Sequence, residues 1–287
     1  MINKKIIVFL FFVSFSISAQ IKGIVVDQYN NPIAYVNVSV ENENIGTSTE
    51  ENGQFVINVN DKNKNLVFSA LGFEQKTIKA TEAEIVKLNA VTYELNEVVL
   101  SNKKETKKIE IGQTENQIYQ AFDNGPRMDA KYFQYNPSYK KTRFIKQVSV
   151  YTDSKIEEAS IKIHFYDVDS TGFPGKELLD KNFIVSVKKG QRRTIFNVSD
   201  FNLSIAKKGI FVGVERLIIE KNKFQKTTTD LISKTTKTQN TYFPIILCAY
   251  VERPFLWTFY GGKWNKLRSK TPNTKVFEPA INLILTN

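Results

Sequence analysis

The chain has 287 residues, of which 41% are hydrophobic and 24% charged, and Lys plus Arg outnumber Asp plus Glu 40 to 29 for a formal charge of +11. One Cys excludes an intramolecular disulfide, and one His excludes the usual two-histidine zinc site. The fold must therefore rest on its hydrophobic cores, and a chain of this length can supply two.

Residues 1–19 read as a cleaved signal peptide. Lys4 and Lys5 form the charged start, Ile6 to Val13 an apolar core too short to span a bilayer, and Ser14 to Ala19 a smaller, more polar end. Cleavage after Ala19 leaves Gln20 first, and no Cys stands near the cut to take a lipid anchor. The remaining Lys excess is scattered rather than blocked. It suits a solvated surface, or attraction to anionic envelope polymers, and argues against a nucleic-acid partner.

Residues 20–101 alternate with period two between turn signals. Val36, Val38 and Val40 share one strand face, opposite Asn37, Ser39 and Glu41, and Phe55, Ile57 and Val59 repeat the pattern. Leu66 to Phe73 is apolar throughout, as a central strand would be. Turns fall at Asn30-Asn31-Pro32, Glu51-Asn52-Gly53 and Asp61 to Asn65. About seven short strands at this spacing predict a sandwich.

The ordered set Gly23 to Asp27, Pro32-Ile33, Val36 to Val40, Gly46 to Thr49, Asn52 to Phe55 and Leu71-Gly72-Phe73 resembles the carboxypeptidase-regulatory-like domain. That resemblance implies a transthyretin-type or immunoglobulin-like sandwich and no peptidase chemistry of its own. Leu95 to Leu100 resembles the segment that follows this domain in TonB-dependent outer-membrane receptors. The residues after Leu100 are too few for a plug and a large barrel, so an integral membrane barrel is not expected.

Residues 102–142 read as a charged linker. Thr114 to Phe122 is predicted to form one short helix, with Thr114 as N-cap and Gln117 completing a capping box. Asn124-Gly125-Pro126 would end it.

Residues 143–287 predict a second all-β unit, a jelly-roll-like sandwich. Strand patterns occur at 160–165, 183–187, 194–198, 210–214, 245–250, 256–259 and 281–285. Its general look resembles discoidin- or carbohydrate-binding-type sandwiches, without a defining motif. Lys221 to Asn240 reads as a long exposed hairpin or loop. Cys248 lies in an apolar run and is expected as a small buried hydrophobe.

Catalytic signals are sparse. His164 shares a strand face with Lys162 and Tyr166, opposite Ile161, Ile163 and Phe165, and is expected as an ordinary surface histidine. No nucleophile elbow or phosphate loop occurs. Asp167, Asp169 and Thr171 stand at alternate positions before Gly172, as in a calcium loop, but the twelfth position is Leu178 where a bidentate Glu is needed. A plain turn is the simpler reading. Among late aromatics, Trp264, Tyr260 and Trp257 are the candidate binding residues, with Trp264 the best exposed. Such rings stack on sugars or anchor protein partners.

The sequence thus predicts a non-enzymatic exported envelope protein that needs no cofactor. It would sit in the periplasm or on the outer membrane and serve as a binding or assembly module for an envelope protein or polysaccharide. The alternative is a carbohydrate-binding accessory protein of an outer-membrane glycan-uptake system.

Overall fold

The computed structural model describes residues 19–91, 105–112, 118–120, 126–229, 234–252, 255–268 and 275–287. The expected signal peptide, apart from Ala19, lies outside the described residues, as does most of the predicted helix.

The first sandwich is built from β1 (Ala19–Val26), β2 (Asn37–Val40), β3 (Gly46–Ser48), β4 (Gln54–Val59), β5 (Asn65–Ser69), β6 (Lys76–Lys79) and β7 (Ile85–Lys87). They form a three-stranded sheet, β4-β1-β7, and a four-stranded sheet, β3-β2-β5-β6. All pairs are antiparallel except β1 with β7. Val36, Val38, Val40, Phe55, Ile57, Val59, Leu66 and Phe68 fill the core between the sheets, as the alternation predicted. Phe55 meets Phe68 edge to face at 5.5 Å.

The motif residues hold turns and close approaches. A Cβ on Gly23 would lie 2.0 Å from the Ala83 carbonyl, so β1 reaches its neighbour only as glycine. Asp27 accepts the Tyr29 and Asn31 backbone N–H groups at 2.8 Å, and its bond from the Asn31 side chain leads in lowering its pKa. Thr49 accepts the Val36 N–H and donates to the Ile33 carbonyl, tying two turns together inside the core.

The second sandwich contains β8 (Lys108–Ile111), β9 (Ile118–Gln120), β10 (Met128–Phe133), β11 (Phe144–Ser154), β12 (Ala159–Val168), β13 (Pro174–Glu177), β14 (Phe183–Val187), β15 (Gly190–Asn197) and β16 (Ile210–Arg216). A separate ribbon follows, β17 (Lys223–Thr229) with β18 (Thr236–Tyr242), and then β19 (Ile245–Glu252), β20 (Phe255–Tyr260), β21 (Lys263–Arg268), β22 (Lys275–Pro279) and β23 (Ile281–Thr286). One sheet runs β13-β12-β16-β10-β20-β21, with β14 also on β12. The other runs β22-β19-β11-β23-β8, with β15 on β11 and β9 on β19. Ile161, Ile163, Phe165, Val212 and Val214 from the first sheet meet Val148, Val150, Ile281, Leu283 and Leu285 from the second. Both sandwiches are all-β, as expected.

The stretch expected as a linker contributes three strands instead. The predicted helix fails at residues 118–120, which form β9 against β19. β8 pairs with the C-terminal β23, and Glu110 there binds Arg193 and accepts from Asn282. These strands take their register from partners far along the chain, so no local pattern marks them. β10 also breaks the alternation rule, because Asp129 and Lys131 point toward the sandwich interior. There Lys131 sits 3.2 Å from Glu278 and donates to the Gly112 carbonyl. Within the Lys-rich stretch 221–240, β17 and β18 pair antiparallel, exposed from Gln225 to Thr229 and from Thr236 to Asn240.

Candidate functional site

The outer face of β3-β2-β5-β6 is covered over β2, β3 and the middle of β5. Asn37, Ser39, Ser48, Val67 and Ser69 lie on that face, and Ser39, Ser48 and Val67 are buried on it. Small side chains let the second sandwich approach closely. Asn222, fully buried, bonds Ser160 and the Leu217 carbonyl and so pins the loop after β16. That loop presents Ile218, whose N–H donates to Ser48 Oγ at 3.1 Å and whose carbonyl accepts from Thr47 Oγ1. The Gly261-Gly262 turn presses on the same domain: a Cβ on Gly262 would lie 2.7 Å from Val67 Cγ1. Lys263 Nζ completes the contact, donating to Asn42 Oδ1 at 2.7 Å.

Antiparallel register puts Lys162, His164 and Tyr166 of β12 on the outer face of the second sandwich, with Glu215 of β16 beside them. The sequence expected that face to be solvated. It is instead covered by the first domain, and His164, Lys162 and Glu215 are 5%, 2% and 4% exposed. His164 is thus a buried histidine and not the surface one expected. The face pattern was right, but the covering domain has no signal local to β12.

His164 is held at both ring nitrogens. Nδ1 lies 2.8 Å from Glu177 Oε2, and Nε2 lies 3.0 Å from Glu215 Oε2. Glu177 uses its other oxygen to accept the Phe165 N–H at 2.8 Å. Glu215 accepts from Asn37 Nδ2 of the first domain at 2.9 Å and has Lys162 Nζ 3.9 Å away. The Tyr166 ring stacks on His164, centroids 5.7 Å apart, with its hydroxyl 3.1 Å from Nδ1.

Burial opposes charge on His164, but the charge and hydrogen bond of Glu177, with the bond to Glu215, outweigh it and raise its pKa above 6.5. Burial likewise pushes Glu215 up, but Lys162, then His164 and Asn37, bring it down to about 2. Both carboxylates face ring nitrogens as acceptors, a geometry that favours an imidazolium with two N–H donors. Such a ring has no lone pair to act as a base, and Glu215 stays ionised at neutral pH. The cluster is chemically suited to holding and orienting groups through its hydrogen bonds.

A cavity of about 280 Å³ opens above this cluster, between the two sandwiches. Lys162, His164, Glu177 and Glu215 form its polar floor, and Met128, Tyr166, Phe259 and Trp264 its apolar wall. Asn37, Ser69 and Leu71 close it from the first domain. Trp264 packs edge to face on Tyr166 at 5.3 Å and on Phe259 at 5.5 Å. It is half-buried, less open than expected. Trp257 lies beyond the cavity on the same sheet face, in a cluster with Phe211 and Tyr132. Tyr260 is half-buried at the end of β20 and does not line the cavity.

The aspartate-rich turn lies between β12 and β13. Asp169 Oδ1 accepts the Thr171 and Phe173 N–H groups and the Thr171 hydroxyl, and Asp167 Oδ1 accepts the Lys176 N–H at 2.6 Å. Asp167, Asp169 and Thr171 therefore close a hairpin on themselves. Among the described residues no group of three or more His, Cys, Asp or Glu could hold a metal ion. Cys248 is buried, and burial pushes its thiol up to about 12.

Residues 21–100 match the model of the CarboxypepD_reg-like domain family. A search of curated proteins gives no match. Among solved structures, the chain is similar to the cysteine protease and lectin-like domains of Cwp84, a surface layer associated protein of Clostridium difficile. Identity there is 15% with a TM-score of 0.35, covering 85% of this chain and 45% of that one. It is also similar to a DUF3823 family protein from Bacteroides ovatus, at 9% identity and a TM-score of 0.21, covering 92% and 97%. Neither likeness is close enough to carry an argument about function. No helix among the described residues is long and apolar enough to cross a membrane.

Proposed function

We propose that this protein is a non-enzymatic binding module of the cell envelope, and that its ligand site is the cavity between the two sandwiches. The observation that carries the reading is the cluster of buried Lys162, His164 and Glu215 with part-buried Glu177, flooring an open cavity at the domain junction. Taking these charged groups out of water is costly, and a cluster with its hydrogen bonds satisfied gives specificity of arrangement more than stability. The CarboxypepD_reg-like domain supplies one wall and thereby fixes the cavity's shape. The N-terminal leader pattern supports export to the envelope.

Blocking the cavity tests this. Ser69→Trp fills it from the first domain. The full mature chain and this variant, each immobilised, are exposed to polysaccharide and protein fractions of the native envelope. Retention by the natural chain that the folded variant loses is expected. Equal retention by both would move the site elsewhere.

The glycan-uptake reading is favoured by one further observation. The aromatic wall of the cavity continues along the sheet face through Tyr166, Trp264, Trp257 and Tyr132. Of these rings, the half-buried Tyr166 and Trp264 are open to the cavity and give a sugar ring a face to lie against.

A further inference from the structure

We infer that the junction cavity takes an uncharged saccharide unit, seated against Tyr166 and Trp264 and hydrogen-bonded by the charged floor. The inference rests on the cavity being the ligand site and adds the ligand's chemical class.

Charge balance decides first. The floor holds two cations, Lys162 and His164, and two carboxylates, Glu177 and Glu215, within one network. An anionic ligand would lose its hydration and meet no net opposite charge, and the ends of a zwitterion would have to compete with the pairs the floor already makes, so burying either there is unfavourable. Lys176 also borders the cavity, but it is exposed, where an ion pair contributes little.

The polar groups point the same way. Lys162 brings N–H donors, the carboxylates bring acceptors, and Asn37 and Tyr166 bring both kinds within one small volume. A hydroxyl is the ligand group that both donates and accepts, so a ring bearing several hydroxyls matches this mixture. The opposite wall is aromatic, which suits the C–H face of the same ring and not a fully polar ion. A volume of about 280 Å³ holds a unit of this kind, not an enclosed polymer. Beyond the mouth, the half-buried Tyr132 and Phe173 and the buried Trp257 extend the aromatic face. Lys266 lies over Trp257, 5.3 Å from its ring.

The two tryptophans of the chain, Trp257 and Trp264, both stand on this face, so intrinsic fluorescence reports the site directly. The full mature chain is titrated with neutral hexasaccharides (cello-, malto-, manno- and xylohexaose), with hexagalacturonate, and with a dipeptide. At least one neutral hexasaccharide is expected to shift the emission and to bind at least about tenfold tighter than either charged probe, a difference of about 1.4 kcal/mol. Trp264→Ala should weaken that binding by about tenfold or more, while Trp264→Phe, which keeps a ring, retains most of it. If hexagalacturonate or the dipeptide binds as tightly and with the same dependence on Trp264, the ligand class is wrong and the site stands. If no probe binds in a way that responds to Trp264→Ala, both the class and the site are overturned.

Discussion

Replacing His164 with alanine removes the one cation that touches both buried carboxylates. Glu215 is held at about 2 against a usual 4.5, a difference worth about 3 kcal/mol at about 1.36 kcal/mol per pKa unit. Lys162, His164 and Asn37 share that stabilisation, and Glu177 loses its Nδ1 partner as well. Breaking a buried pair costs about 3–5 kcal/mol, so His164→Ala should lose about that much. The pH dependence follows from the directions of the two shifts. The histidine's pKa is raised above 6.5, so its contribution is complete below 6.5 and is lost as pH rises through the folded value. The depressed Glu215 contributes above 4.5 and loses that contribution as pH falls toward about 2. The gap between natural chain and variant is therefore widest between 4.5 and 6.5 and narrows in alkali. Urea unfolding at about pH 6 and about pH 9 measures it. A variant within about 1 kcal/mol of the natural chain at about pH 6, or an equal gap at both values, would refute the clamped imidazolium.

Other expected outcomes concern the frame around the site. Gly262→Ala places a Cβ against Val67 in a backbone conformation with φ of 83°, and should cost about 1–3 kcal/mol while speeding hydrogen exchange in β2 and β3. Unchanged exchange there would mean that the turn does not hold the junction. Lys131→Met removes the buried cation beside Glu278 and should cost about 3 kcal/mol, most of which returns in Lys131→Met with Glu278→Leu. A double variant no more stable than the single one speaks against the pair. N-terminal sequencing of the chain from the native envelope should begin at Gln20, and recovery of Met1 contradicts export by a cleaved leader.

The first sandwich was legible because its signals are local. Gly23, Asp27, Thr49 and Gly53 each serve a turn or a close approach within a few residues of strands that period two already marks. The second was legible wherever a strand keeps apolar residues on one face, as at Ile161, Ile163 and Phe165. It was illegible where Asp129 and Lys131 stand inside, and where β8 depends on β23 at the other end of the chain. The site was half legible. Trp264 stands out in the sequence, and period two alone puts Lys162, His164 and Tyr166 on one face. Their burial depends on a second face, on β2 and β5, whose Asn37, Ser39 and Ser69 look like ordinary solvated positions. The signal available was their small size, which marks a surface that another domain can approach. Glu177 and Glu215 had no motif at all, and only the sheet register brings them to His164.

Both the non-catalytic reading and the neutral ligand depend on one protonation state. The chain contains a single histidine, so nitrogen NMR of an untagged, ring-labelled sample reports His164 without ambiguity. The account predicts that both ring nitrogens are protonated at about pH 6 and that the ring titrates with a midpoint above 6.5. A neutral ring at about pH 6, or a midpoint below 6.5, would contradict it and would return to His164 the lone pair that a catalytic base requires.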